Sequence, residues 1–216
     1  MANTSRPWGF RPVRQIGGAK WSGATTLYGH SASNSGTVFV GDVVQIDDTN
    51  RSTALTDAYA PGIPFIKAAT ASLTTTVFRG IVAGIVPQPE YNMTATASLG
   101  NMYVLASTAR YVWVVDDPWT VFECEESGTN SYTSSSSNFI NQLAEIGTLT
   151  SGSTTTGISG MTIVGSSGAT TNLPFRVLRA TQRIDNFSST ASTTTPAFHW
   201  DVQMANSDLA TLKVGL

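Results

Sequence analysis

Three pairs of adjacent carboxylates are the residues of this chain best suited to acid–base chemistry. They are Asp47-Asp48, Asp116-Asp117 and Glu125-Glu126. Glycoside cleavage needs two carboxylates a few ångströms apart in space, and adjacency along the chain does not establish that geometry. The Asp pairs stand beside Thr, Asn or Pro, as in turns, and the Glu pair ends an apolar run. We therefore interpret all three pairs as turn and strand-end residues.

The two histidines and the single cysteine have no catalytic or metal-binding spacing. His30 and His199 form neither an HExxH nor an H-x-H motif, so we predict no metal site. His199 falls on the polar side of a predicted strand, and we expect it to be exposed. Cys124 would need a nearby base to act as a nucleophile, and its apolar surroundings indicate a small buried residue. The sequence thus predicts no catalytic residue and no cofactor, and the protein is not expected to be an enzyme.

Binding chemistry is concentrated near the start of the chain, in SRPWGFRPVRQIGGAKWSG (residues 5–23). Trp and Arg are enriched at interfaces and dominate their hot spots, while proline favours extended backbone and removes a hydrogen-bond donor. We predict an extended N-terminal arm over residues 1–24 and one β-rich body over 25–216. The arm could dock on another molecule, fold back as an edge of its own domain, or be disordered. The candidate interface residues are Arg6, Trp8, Phe10, Arg11, Arg14 and Trp21.

Composition limits the classes of partner. Among 216 residues, 12 are Lys or Arg and 14 are Asp or Glu, so the net charge is only −2. A general nucleic-acid coat depends on many more cations, and we expect no nucleic-acid partner. The longest apolar run, FRGIVAGIV, contains Arg79 and has about half the length that a bilayer requires, so we expect no membrane partner. Low charge leaves little repulsion between copies and suits a protein of an assembly that is made inside a cell.

The elements that must position these residues are mainly strands. In FHWDVQM (residues 198–204) apolar and polar residues alternate with a period of two, which predicts a strand. The segment ARYVWVVDDPWTVFECEE predicts two strands joined by a turn at Asp116-Asp117-Pro118, the second one half-exposed. LPFRVLRATQRI alternates in part, with Leu173, Phe175 and Val177 on one side.

One segment has a helical pattern. In NFINQLAEIG (residues 138–147), Phe139, Leu143 and Ile146 recur at i, i+4 and i+7, and Asn138 and Gly147 can cap the ends. We therefore predict a mainly β fold, a sandwich or a jelly-roll-like barrel, with one short helix.

Five segments follow one another along the chain: NTSRPWGFRPVRQIGGAKWSGATTLY, VFVGDVV, ARYVWVVDDPWTVFECE, GSTTTGISGM and LPFRVLRATQRIDN. In this order they resemble a family of tailed-phage structural proteins, over a range that extends from Pro7 to Asn206. The resemblance implies a head decoration (cement) or minor capsid protein without cofactor or catalytic residues. It implies binding to the major capsid protein on the outer surface of the capsid, after synthesis in the host cytoplasm. It also implies self-association, with a homotrimer favoured and a dimer possible.

A carbohydrate-binding β-domain of a phage tail or head fibre is the alternative function. Trp113 and Trp119 flank the predicted turn at Asp116-Asp117-Pro118 and could form a stacking platform for sugar rings. They could equally be core or interface aromatics. Fibre proteins tend to contain repeats, and the sequence has none of 20–50 residues.

Overall fold

The computed structural model shows an all-β protein, without a helix in the part of the chain that it describes. It describes residues 7–47, 62–69, 77–86, 102–127, 140–148, 152–165, 173–183 and 198–209. Within these ranges, no helix is long and apolar enough to cross a membrane. The strands are β1 (Arg11–Gln15), β2 (Thr26–His30), β3 (Val43–Ile46), β4 (Ile66–Ala68), β5 (Gly80–Ile85), β6 (Arg110–Val115), β7 (Thr120–Glu125), β8 (Leu143–Thr148), β9 (Thr162–Gly165), β10 (Phe175–Ala180) and β11 (His199–Met204).

The strands form two antiparallel sheets. Sheet A has the order β1-β7-β11-β10-β8-β9, and sheet B has the order β2-β6-β5-β3-β4. The prediction of a mainly β fold is confirmed, and two open sheets are consistent with the sandwich rather than with a closed barrel. The predicted turn at Asp116-Asp117-Pro118 carries the chain from β6 in sheet B to β7 in sheet A. Asp117 stabilises it, because its side chain accepts hydrogen bonds from the backbone N–H of Trp119 and the hydroxyl of Thr120.

The prediction of a helix over residues 138–147 is wrong. Leu143–Thr148 is strand β8, which lies between β10 and β9. Ala144 is paired with Phe175 on one side and with Gly165 on the other. Ala144 and Ile146 are buried. The segment therefore follows the two-residue period of a strand, although Leu143 and Ile146 also fit a helical spacing. Asn138 and Phe139 lie outside the described residues.

Sheet B is buried on both of its faces. Successive residues of a strand point to opposite faces, and Val43 and Val44 are both fully buried but belong to different core clusters. Val115 likewise belongs to the larger cluster and Val114 to the smaller one. The larger cluster fills the space between the sheets, and the smaller one covers the opposite face of sheet B. This explains why β5 is apolar along almost its whole length.

The inner face of sheet A follows the predicted alternation. Strand β11 confirms the strand predicted at residues 198–204, with Trp200, Val202 and Met204 in the main core. Phe122 and Cys124 of β7 lie opposite Val202 and Trp200. Burial raises the pKa of the Cys124 thiol well above its usual value. Cys124 is therefore a buried strand residue, as expected.

A buried carboxyl group adjoins this core at the end of β7. Trp200 donates a hydrogen bond from Nε1 to Glu126 Oε2 at 3.0 Å. Glu126 is 1% exposed, and its burial raises the pKa to about 8 despite that hydrogen bond. At neutral pH the folded protein therefore holds Glu126 largely in its protonated form.

Two glycines bring the N-terminal segment against sheet B. The backbone N–H of Phe10 donates to Gly41 O at 3.0 Å. Gly9 and Gly41 have φ values of 72° and 93°, which favour glycine. A methyl group on Gly41 would lie 2.7 Å from the carbonyl oxygen of Trp8, so the close approach of the two backbones requires glycine at this position.

We predict that Gly41→Ala lowers the free energy of unfolding by about 3 kcal/mol, because it adds backbone strain to a steric clash. Gly17→Ala is the matched control. No atom lies within 4 Å of a methyl group at Gly17, and the expected change there is within about 0.5 kcal/mol. Urea denaturation of both variants measures the difference. Equal midpoints would show that the contact between Gly41 and Trp8 contributes little.

We also predict that Glu126→Gln removes a pH dependence of stability. Between about pH 4.5, the ordinary value for Glu, and about pH 8, the folded state keeps a proton that the unfolded chain loses. The free energy of unfolding therefore decreases as pH rises across this interval, by up to about 5 kcal/mol. The variant, whose amide oxygen can still accept from Trp200, should melt at a higher temperature than the natural protein at pH 8 and show no such advantage near pH 4.

Candidate functional site

The N-terminal segment forms a hairpin at the edge of sheet A. Strand β1 pairs with β7, and the chain then turns at Gly17-Gly18 and pairs back on β1. The N–H of Gln15 donates to Ala19 O at 2.7 Å, and the N–H of Trp21 donates to Val13 O at 3.5 Å. We call residues 11–21 the N-terminal hairpin. Of the three alternatives that the sequence left open, folding back on the same domain describes these residues.

Phe10 fastens this hairpin to the body of the protein. Its ring is 2% exposed and stacks on Phe175 of β10, with ring centroids 4.5 Å apart. Phe10 therefore contributes to the core between the sheets and has almost no exposed surface of its own. Trp21 also packs against this core, although it is only partly buried. Arg6, the first candidate interface residue, lies outside the described residues.

Trp8 lies between a histidine and two guanidinium groups. Its ring is parallel to the ring of His199, with an interplanar angle of 6° and centroids 4.4 Å apart. The guanidinium carbons of Arg11 and Arg183 lie 5.4 and 5.3 Å from the Trp8 centroid, within the range of a cation–π interaction. The prediction that His199 is exposed is wrong, because Trp8 covers it and leaves it 7% exposed.

Two buried carboxylates organise the arginines on the outer face of sheet A. Glu123 of β7 and Asp201 of β11 lie opposite each other across the two strands, and their side chains are only 3% and 4% exposed. Glu123 forms ion pairs with Arg11 and Arg183. The prediction that β7 is half-exposed is wrong, because all six of its residues are buried.

Asp201 is shared in the same way between two arginines. Its Oδ2 atom accepts from Arg14 at 3.3 Å and from Arg179 at 2.8 Å, and its Oδ1 atom accepts from the hydroxyl of Thr181 at 3.0 Å. Asp201 is therefore held by three side-chain donors from the hairpin, β10 and the residue after β10. The chemistry available at this face is the binding of anionic groups by the outward sides of the arginines.

A cleft lies beside the hairpin, between it and sheet B. Its volume is about 500 Å³, and its walls include Trp8, Trp21, Ala83 and Ile158. This volume is in the range of ligand-binding pockets. The lining is predominantly apolar, so the cleft is suited to apolar side chains.

The two tryptophans at the turn between the sheets are partly exposed. Trp119 is 61% exposed, and its carbonyl oxygen accepts a hydrogen bond from the N–H of Ile16, next to β1. Trp113 of β6 is 40% exposed. Neither is a buried core residue, so interface and stacking interpretations are both compatible with their positions.

The remaining candidates for chemistry have structural partners. His30 is fully buried, and its ring nitrogens face Thr108 O and Gly36 O at 2.9 and 3.1 Å. Burial lowers its pKa. Asp116 accepts a hydrogen bond from the hydroxyl of Tyr28 at 2.8 Å. Among the residues with described positions, no group of three or more His, Cys, Asp or Glu could hold a metal ion.

The sequence patterns identified three residues of this site and missed five. They identified Trp8, Arg11 and Arg14 but not their partners Glu123, Asp201, Arg179, Arg183 and His199. The available signal was the pair of acidic residues on the polar sides of two strongly alternating strands, at Glu123 and Asp201. Their positions opposite each other became known only from the strand register.

No family model, curated protein or solved structure matches this chain.

We predict that Glu123→Gln destabilises the fold by about 2–3 kcal/mol, because it leaves Arg11 and Arg183 without their shared counter-charge. Glu145→Gln, on β8 and only partly buried, is the matched control and should change stability by less than about 0.5 kcal/mol. Urea denaturation at low and high salt measures both. A Glu123→Gln variant as stable as the control would contradict a stabilising role for these ion pairs.

Proposed function

We propose that this protein is a head decoration (cement) protein of a tailed phage, which binds the outer surface of the expanded capsid and bridges its major capsid subunits. The observation that carries the proposal is a β-sandwich body of low net charge that exposes large apolar side chains, among them Trp119, Ile16 and Ile158. Exposed aromatic and aliphatic residues beside arginines are typical of interface cores. The resemblance to tailed-phage structural proteins, from Pro7 to Asn206, indicates that the assembly is a phage capsid.

The proposed mechanism is stabilisation by mass action. A ligand that binds only the expanded shell shifts the equilibrium toward that form, and many copies add their contributions. A rigid β body is suited to this task, because little ordering free energy is lost when it binds. The function requires no catalytic residue, cofactor, membrane or nucleic acid, and it places the protein on the virion after synthesis in the host cytoplasm.

The oligomer that we favour is a homotrimer, with a dimer as the alternative. Closed symmetric assemblies predominate among soluble oligomers, and three-fold positions are the usual sites of such proteins on capsids. The partly exposed members of the candidate interface, Trp8, Arg11, Arg14 and Trp21, contact the capsid or a neighbouring copy in this proposal. Phe10 supports them from inside.

A carbohydrate-binding domain of a tail or head fibre is the second candidate. The partial exposure of Trp113 and Trp119 favours it, because sugar rings stack on accessible aromatic faces. Trp113→Ala and Trp119→Ala variants on a glycan array test this candidate, which predicts specific binding by the natural protein and its loss in the variants.

We predict that the purified protein binds expanded heads that lack it, and that cryo-electron microscopy shows ordered density on their outer surface. The density would also give the number of copies at each symmetry position. Unexpanded heads are the control and should bind much less protein. Bare expanded heads, with the protein free in solution, would contradict the decoration function and leave the carbohydrate-binding candidate.

A further inference from the structure

The positive charge of this chain is concentrated on the outer face of sheet A. The N-terminal hairpin, β10 and the segment after β10 contribute its cations, and we call this surface the basic face. Its carboxylates on β7 and β11 are all buried, and a further one, Glu145, lies along the sheet on β8. The basic residues are Arg11, Arg14, Lys20, Arg176, Arg179 and Arg183, and the buried carboxylates are Glu123, Glu125 and Asp201.

This distribution differs from that of the chain as a whole. Among the described residues, six of the nine Lys and Arg lie on this face, against four of the ten Asp and Glu, while the whole chain has a net charge of −2. Glu123 and Asp201 lie under the arginines that bind them. An approaching molecule therefore meets guanidinium groups first, which favours an anionic partner.

Two exposed arginines of the basic face retain unused donors. The side chain of Arg11 is 57% exposed and that of Arg179 is 50% exposed. Each donates one hydrogen bond to a buried carboxylate in the described part of the chain, whereas a guanidinium carries five N–H donors. Their ion pairs fix the planes of both groups, so they are preorganised to bind a second carboxylate.

An apolar anchor adjoins the basic face. Ile16 follows β1, is 44% exposed, and donates its backbone N–H to the carbonyl oxygen of Trp119 at 2.9 Å. Trp119 precedes β7 and is the most exposed large apolar residue of the described chain. Tryptophan and arginine together form the hot spots of many interfaces.

We propose that the basic face, with Trp119 and Ile16 at its end, is the docking surface for an acidic protein segment that carries carboxylates beside an apolar side chain. Under the proposed decoration function, this segment belongs to the capsid subunit. Charge complementarity selects the occupant, because the face offers donors and cations and arginines already bind its carboxylates Glu123 and Asp201. A nucleic acid is the competing polyanion, and the test includes it.

The first test uses the full-length protein, expanded heads and two matched double variants. R11Q/R179Q removes two charges from the basic face, and each buried carboxylate keeps its other arginine. K67Q/R79Q removes two ion-paired charges elsewhere, since Lys67 lies on β4 and Arg79 precedes β5. R11K/R179K retains the charge. Thermal melting first confirms that all three variants are folded.

We expect R11Q/R179Q to weaken binding to heads by about tenfold at about 50 mM NaCl and to reduce its salt dependence. K67Q/R79Q should bind like the natural protein. R11K/R179K should bind more tightly than R11Q/R179Q, because it retains the charge, but more weakly than the natural protein, because lysine lacks the planar donor fork. Unchanged binding by R11Q/R179Q, or an equal loss in K67Q/R79Q, would overturn the proposed docking surface.

A second test separates this inference from the decoration function. A synthetic peptide of alternating Glu and Leu is titrated against the protein in solution, with tryptophan fluorescence as the readout, and a single-stranded DNA of equal charge is titrated in parallel. The docking surface is supported if the peptide quenches the fluorescence or shifts it to the blue, and if Trp119→Phe and R11Q/R179Q each abolish this response. This outcome supports the docking surface even if the protein does not bind heads. Tighter binding of the DNA, or no response to the peptide, would overturn the inference even if heads are bound.

Discussion

The burial of Glu123 and Asp201 side by side in sheet A is the constraint on which the N-terminal hairpin and its surroundings depend. Two acidic side chains that lose their hydration on neighbouring strands cost several kcal/mol unless cations compensate. Arg11 and Arg14 of the hairpin, with Arg179 and Arg183, provide that compensation. The hairpin is therefore part of the fold, and the charges that hold it are also the charges that it presents to solvent.

This arrangement couples stability to binding. Phe10 of the N-terminal segment packs in the core. Arg11 and Arg14 of the same segment cover the carboxylates of Glu123 and Asp201. Because the arginines are fixed from below, little side-chain entropy is lost when they bind a further anion from above. A fixed surface of this kind suits a protein that must recognise a regular lattice of identical subunits, as the proposed decoration function requires.

Regular alternation made the strands predictable, and competing local patterns made the helix prediction fail. FHWDVQM has a period of two and became β11. NFINQLAEIG satisfies a helical spacing, yet the segment that includes Ala144 and Ile146 pairs with β10 and β9. Helical spacing over ten residues is weak evidence, since the packing of a strand between two neighbours can override local preference.

The sequence by itself determined the β class, the turn at Asp116-Asp117-Pro118 and the Trp and Arg content of the N-terminal segment, because these follow from local periodicity and residue chemistry. Only the tertiary structure decided that β1 pairs with β7, that His199 stacks on Trp8, and that the carboxylates on the polar sides of two strands are buried. The ion pairs of the hairpin join distant residues, since Arg11 and Glu123 are 112 positions apart and Arg14 and Asp201 are 187 apart. Local sequence patterns specify which way a side chain points on its strand, but not which distant strand lies beside it.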